Sequence, residues 1–147
     1  MEFEFDFRLH ADCSLLTGTV YFELAPDRYS GKCWAPGSRF LHEYTFCLFE
    51  GIFERRAPDY DHFGFVEIPR VQWQLIIGDI VTLRAALVQA IDTQQVTLPY
   101  GSTWKVQGPF ELALAANQRA LAALLTDLEV WLRQTCSEHE VISVLGI

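Results

Sequence analysis

Positive charge is in short supply in this sequence: 11 lysines and arginines face 19 aspartates and glutamates, for a net charge of −8. A negative field repels phosphate backbones, so nucleic acid is excluded as a natural partner and a basic protein is favoured. The deficit is uneven, with 12 acids against 6 bases over residues 1–67 and 7 against 5 over residues 68–147. A cysteine framework is also missing. Cys13, Cys33, Cys47 and Cys136 are scattered, with no C-x-x-C pair and no histidine at zinc-finger spacing, so the expectation is free thiols, no metal and no cofactor. No basic stretch followed by an apolar one opens the chain; Glu2, Glu4 and Asp6 alternate with phenylalanines instead, which predicts a cytoplasmic protein. The most apolar segment, 71–91, is interrupted by Gln72, Gln74, Asp79, Arg84 and Gln89 and is not expected to span a membrane. Catalytic signatures are absent too, with no G-x-S-x-G, G-x-G-x-x-G, P-loop or H-E-x-x-H.

Apolar residues, by contrast, are abundant. Half of the 147 residues are hydrophobic and 14% are aromatic, which argues against intrinsic disorder. A chain of this length makes one domain, burying roughly 70% of the surface its unfolded form exposes. Residues 2–9 set Phe3, Phe5, Phe7 and Leu9 against Glu2, Glu4, Asp6 and Arg8, the period of two of a strand with one acidic face. Residues 19–25 repeat that alternation more weakly and stop at Pro26. From Pro26 to Ser38, prolines, glycines and the rings of Tyr29 and Trp34 predict a long ordered loop.

Residues 39–56 read as a helix, with Leu41, Tyr44, Leu48 and Ile52 on one stripe and Phe46, Phe49 and Phe53 on a second. Such a helix packs on both sides, within the domain or against a second copy. A short strand is predicted at 64–68, then a helix over 69–91 with Pro69 at its first position and a close neighbour over Gly78. A hairpin is expected between 95–98 and 103–107 around Pro99-Tyr100-Gly101-Ser102. The clearest helix runs from an Asn117 cap to about Cys136, and residues 141–145 form a closing strand covered on both faces. The fold class that follows is α+β: a single domain with a mixed or antiparallel sheet that includes the N- and C-terminal strands, packed against about three helices.

The residues with the richest surface chemistry lie between 43 and 67. Glu43, Glu50, Glu54, Asp59, Asp61 and Glu67 surround Tyr60, His62 and Phe63, and rings among charges are typical of protein-binding surfaces. The same stretch holds the best candidate for metal or acid–base chemistry, Asp59, Asp61 and His62 with Glu67 beyond. His10 and Cys13, a second candidate pair, are sequence neighbours whose side chains normally diverge. His42 and His139 carry no assigned role.

The order of features resembles the small bacterial immunity proteins of polymorphic and contact-dependent toxin systems. The residues that carry the resemblance are the Phe- and Leu-rich segment Arg39 to Glu54, the aromatic loop ending Phe63-Gly64-Phe65-Val66-Glu67-Ile68-Pro69, and Trp73 with Ile76-Ile77. The final leucine-rich helix before Ile142-Ser143-Val144-Leu145-Gly146 completes it. The resemblance implies a non-enzymatic, cytosolic antitoxin that binds and blocks one cognate, basic toxin domain, with electrostatic steering speeding the encounter. The alternatives are a small enzyme with a pocket under the loop at 26–38, using His10, Cys13 or the Asp59–His62 group, and a scaffold that dimerises through helix 39–56.

Overall fold

Two strands with few polar residues, Tyr21–Pro26 (β1) and Val141–Leu145 (β4), form the centre of the sheet. The computed structural model describes residues 5–16, 20–89 and 104–146. Four strands pair antiparallel in the order β2-β1-β4-β3, where β2 is Arg39–His42 and β3 is Phe65–Pro69. β1 and β4 are in register at Leu24 opposite Val144, so the first and last of these strands lie side by side. β4 is buried at all five positions, as expected of a strand covered on both faces. β3 lies at the free edge and alternates, with Val66 and Ile68 inward and Phe65, Glu67 and Pro69 outward.

The N-terminal alternation specifies a face but not a ladder. Phe5, Phe7 and Leu9 pack against the core, yet among the described residues the segment's only backbone pairing with the sheet is the single His10–Phe40 bridge, with N–H···O distances of 3.0 and 2.8 Å; the next helix holds it too, through Thr45 Oγ1 donating to the Asp6 carbonyl at 2.7 Å. Residues 2–4 lie outside the described residues. The strand expected at 19–25 is β1.

The helix expected over 39–56 divides into three pieces. Residues 39–42 are β2, pulled into the sheet by pairing with β1. The His42 ring, through Nδ1, accepts the Tyr44 N–H at 3.2 Å and caps a short helix, Glu43–Cys47 (α1). After a turn at Leu48–Phe49 the chain continues as Glu50–Arg56 (α2). Apart from Tyr44, which is exposed, both apolar stripes are nonetheless buried within the domain: Leu41, Phe46, Leu48, Phe49, Ile52 and Phe53 are covered, and Phe46 stacks on Phe22 with ring centroids 4.3 Å apart.

Helix Arg70–Gln89 (α3) starts one residue after Pro69 and packs its Trp73, Ile76, Ile80 and Leu83 face against Leu121, Leu125 and Leu128 of Leu114–Glu138 (α5). By length and composition α3 could cross a bilayer, but here it joins α5 to the sheet, and Trp73 Nε1 donates to the Ile142 carbonyl at 3.1 Å. Asp79 is tied to α2 by Arg55 and Arg56, each at 2.8 Å, while Arg84 pairs with Glu129 of α5. Gly78 meets no neighbour: a Cβ there would point into open space. Asn117 lies inside α5, whose preceding residue is Ala113, and donates from Nδ2 to the Phe110 carbonyl at 3.0 Å. Of the expected hairpin, 95–98 lies outside the described residues, and the second arm is instead the start of helix Trp104–Leu112 (α4).

Candidate functional site

The loop at 57–64 separates the candidate residues into two groups, one facing inward and one facing outward. It leaves α2 with the Ala57 N–H still bonded to the Phe53 carbonyl at 2.8 Å, and turns when Tyr60 donates to the Ala57 carbonyl at 2.9 Å. Asp61 then folds a tight turn on itself: its Oδ1 accepts the Phe63 N–H at 3.0 Å and its carbonyl accepts the Gly64 N–H at 3.1 Å. The consequence is alternation, with His62 turned inward and Phe63 left 75% exposed. Gly146 seats the loop by donating to the Gly64 carbonyl at 2.9 Å.

Inward, His62 meets Glu50. Nδ1 lies 2.6 Å from Glu50 Oε2 and 2.9 Å from Oε1, while Nε2 lies 3.5 Å from a carboxylate oxygen of Glu43. Cys47 Sγ is 3.9 Å from Glu50 Oε2. The donor atoms of Cys47, Glu50 and His62 all fall within 4.8 Å of one another. The ring of Phe22 packs edge-on against His62 at 5.0 Å, closing the cluster on the sheet side. Burial raises the pKa of Glu50, and the hydrogen bond and charge of His62 offset only part of that rise. Burial also pushes the Tyr60 phenol far above its ordinary range, with the negative groups at Glu50, Cys47 and Glu54 adding to the effect. The Tyr60 hydroxyl oxygen is buried without a hydrogen-bond partner. Glu50 is therefore no part of an exposed acidic edge: it is 3% exposed. Its position on α2 reads as polar edge in the sequence because nothing there announces the imidazole twelve residues later.

Outward, Glu54, Asp59, Asp61, Phe63 and Glu67 are exposed. Phe65, 50% exposed, stands beside Glu67 on the open edge of the sheet and meets the Tyr29 ring at 4.9 Å. Glu67 holds the start of the 27–38 loop against β3 by accepting the Tyr29 N–H at 2.9 Å, with Arg28 at 3.6 Å. The exposed rings of this region are Tyr29 and Phe65, in contact beside Glu67, and Phe63 on the loop that leads into β3, two residues after Asp61. Two of these three rings, Tyr29 and Phe65, lie outside the set chosen from the sequence; alternation along 64–68 is the signal that could have placed Phe65.

Elsewhere the 27–38 loop is ordered by one buried acid. Glu23 of β1 is 4% exposed and accepts hydrogen bonds from Trp34 N–H at 2.7 Å, Ala35 N–H at 2.8 Å and the Ser38 hydroxyl at 2.7 Å. Four residues of the loop, Asp27, Gly31, Trp34 and Gly37, take left-handed backbone angles. A cavity of about 570 Å³ opens under it, lined among others by Arg28, Lys32, Arg39, Trp131 and His139. None of the residues expected to supply an enzyme's chemistry there lines it: His10 is bonded to Asp6 at 2.7 Å, and Cys13, Asp59 and His62 are absent from its walls. No protein-family model, no curated protein and no solved structure matches this chain.

Proposed function

We propose that the protein is a non-enzymatic immunity protein that binds a cognate, basic bacterial toxin domain in the cytoplasm and neutralises it. The observation that carries this reading is the exposed pair Phe65 and Tyr29, in contact beside the exposed acid Glu67 at the free edge of the sheet, with exposed Phe63 and Asp61 on the loop that leads into that edge. Rings in a cluster supply the apolar area of a binding hot spot. Acids around them, on a chain of net charge −8, steer a basic partner and raise its association rate. The short edge strand adds unpaired backbone groups that a partner can engage.

Under this reading the neighbouring upstream gene encodes a secreted protein with a variable C-terminal toxin domain, and that domain is the partner used in the test. Reversing Glu54 and Asp59 to lysine, both exposed, and changing Asp61 to asparagine, which keeps the Oδ1 acceptor for the Phe63 N–H, leaves the fold intact but slows association and weakens protection of cells that express the toxin. Phe63→Ala, in the same assay, raises the dissociation rate by roughly tenfold, the size of a modest hot spot. A triple variant that folds normally and protects as well as the parent sinks this reading.

A further inference from the structure

The inner face of the 57–64 loop has a composition that a structural ion pair does not account for. Glu43 and Glu50 both approach the one imidazole of His62, and among the described residues no arginine or lysine forms an ion pair with either carboxylate. The Cys47 sulfur joins them, and the Tyr60 hydroxyl is buried beside Glu50 and interacts with it, at a geometry outside that of an ordinary hydrogen bond. The Glu50–His62 contact explains one of these features. A bound cation explains all of them.

We propose that Cys47, Glu50 and His62 form a binding site for a divalent metal of borderline softness, with zinc the best match. Sulfur, imidazole nitrogen and carboxylate oxygen are the donor types such an ion selects. Around tetrahedral zinc, donors of this kind sit about 3.4–3.6 Å apart, given metal–ligand bonds of about 2.0–2.3 Å. The three donor atoms fall within 4.8 Å of one another; His62 Nδ1 and Glu50 Oε2, at 2.6 Å, move apart by about 1 Å to admit the ion, and the Cys47 sulfur, at 3.9 Å from Oε2, is already near the required spacing. His62 presents Nδ1 to the cluster and Nε2 to Glu43. That is the arrangement in which a carboxylate behind a ligating histidine fixes its tautomer and ring orientation. Three protein ligands leave a fourth position for water, and the buried Tyr60 hydroxyl lies beside the Glu50 ligand. Binding displaces the Cys47 thiol proton to solvent and locks the loop from beneath. The inference concerns the inner face and stands whether or not the outer face meets a toxin.

The full chain, stripped with chelator under reductant, is titrated anaerobically with Zn(II) and with Co(II). A Cys13→Ser/Cys33→Ser background removes the two more accessible thiols. In that background the chain takes up about one metal per molecule, and the cobalt complex shows a thiolate-to-metal charge-transfer band with the intense visible absorption of four-coordinate cobalt. Cys136→Ser retains the band and Cys47→Ser loses it. Glu43→Gln keeps the band while weakening affinity by about 10–100-fold. The cobalt spectrum of the background protein carrying Cys136→Ser, in which Cys47 is the one remaining thiol, decides the matter even if Cys47→Ser fails to fold. Absence of stoichiometric metal, a cobalt complex without a thiolate band, or a folded Cys47→Ser with undiminished affinity overturns the proposal.

Discussion

Glu23→Gln tests how the long loop is held. The carboxylate gives Oε1 to the Trp34 N–H and Oε2 to both the Ala35 N–H and the Ser38 hydroxyl. A glutamine has one acceptor oxygen. Placed where Oε2 was, it keeps two of the three bonds and turns its NH2 group toward the Trp34 N–H, donor against donor. A hydrogen bond to a charged acceptor contributes about 1.5–3 kcal/mol, and the two retained bonds weaken once the acceptor is neutral. Neutralising a buried acid that has no cationic partner recovers part of its desolvation cost. The net loss is about 2 kcal/mol, a large share of the 5–15 kcal/mol that typically stabilises a domain. Urea unfolding is expected to show a midpoint lowered by about 1 M at unchanged slope, for slopes of about 1–3 kcal/mol/M. Trypsin should also cut faster after Arg28 and Lys32, which lie in the released loop. Glu54→Gln, at an exposed position, is the control and changes neither readout. If Glu23→Gln unfolds within about 0.5 kcal/mol of the parent, near the limit for an ordinary surface substitution, the loop is held by something other than this acid.

Two further substitutions probe α3. Asp79→Asn weakens the link to Arg55 and Arg56, whose side chains are 47% and 33% exposed. Solvent screening on that side brings the cost to about 1–3 kcal/mol rather than the full loss of a buried pair. Burial alone would raise the pKa of Asp79, but hydrogen bonds from Arg56 and Arg55 outweigh it and hold the carboxyl below its ordinary 3.8. Its contribution is therefore complete above that value and disappears as pH falls through the lower, folded-state value. Parent and variant should differ at pH 7 by chemical denaturation and converge in acid; a constant difference down to the acid transition refutes the assignment. Gly78→Ala, in contrast, adds a methyl group to open space in the middle of a helix and should stabilise by about 1 kcal/mol, read as a higher melting temperature. A loss of stability there would mean that a neighbour does cover Gly78.

Much of the frame was legible because it rests on side-chain period. The leucines of α5, the isoleucines of α3 and the unbroken apolar run of β4 have only one reading each. Residues 39–42 had two, since Leu41 fits the helical stripe with Tyr44 and Leu48 as well as it fits a strand. Backbone pairing with β1, which no local pattern encodes, decides between them. The alternation of Phe5, Phe7 and Leu9 reported burial correctly and pairing incorrectly, because alternation follows from an extended chain lying on a core and does not require a ladder. Buried acids were the least legible residues. Glu23, Glu50 and Asp79 read as solvent-facing, and what keeps each inside is a set of donors 11 to 24 residues away. For the candidate site this meant that its region was found while its division was not: the sequence shows a crowd of acids and rings, and the Asp61 turn sends His62 one way and Phe63 the other.

The order of the strands also bears on how the chain is made. β4, the last of the four to leave the ribosome, is the one that both β1 and β3 pair with. Until it arrives, the β1–β2 hairpin and β3 have no common partner, and each presents an unsatisfied backbone edge to the cell. Helices α3 and α5 can meet earlier, but the sheet they cover has a gap in its middle. Local structure therefore accumulates during synthesis, whereas the cooperative step waits until β4 has been made, as expected of a topology dominated by distant pairings. A nascent chain paused before Val141 is the form most exposed to aggregation, and chaperones would meet this protein at that stage.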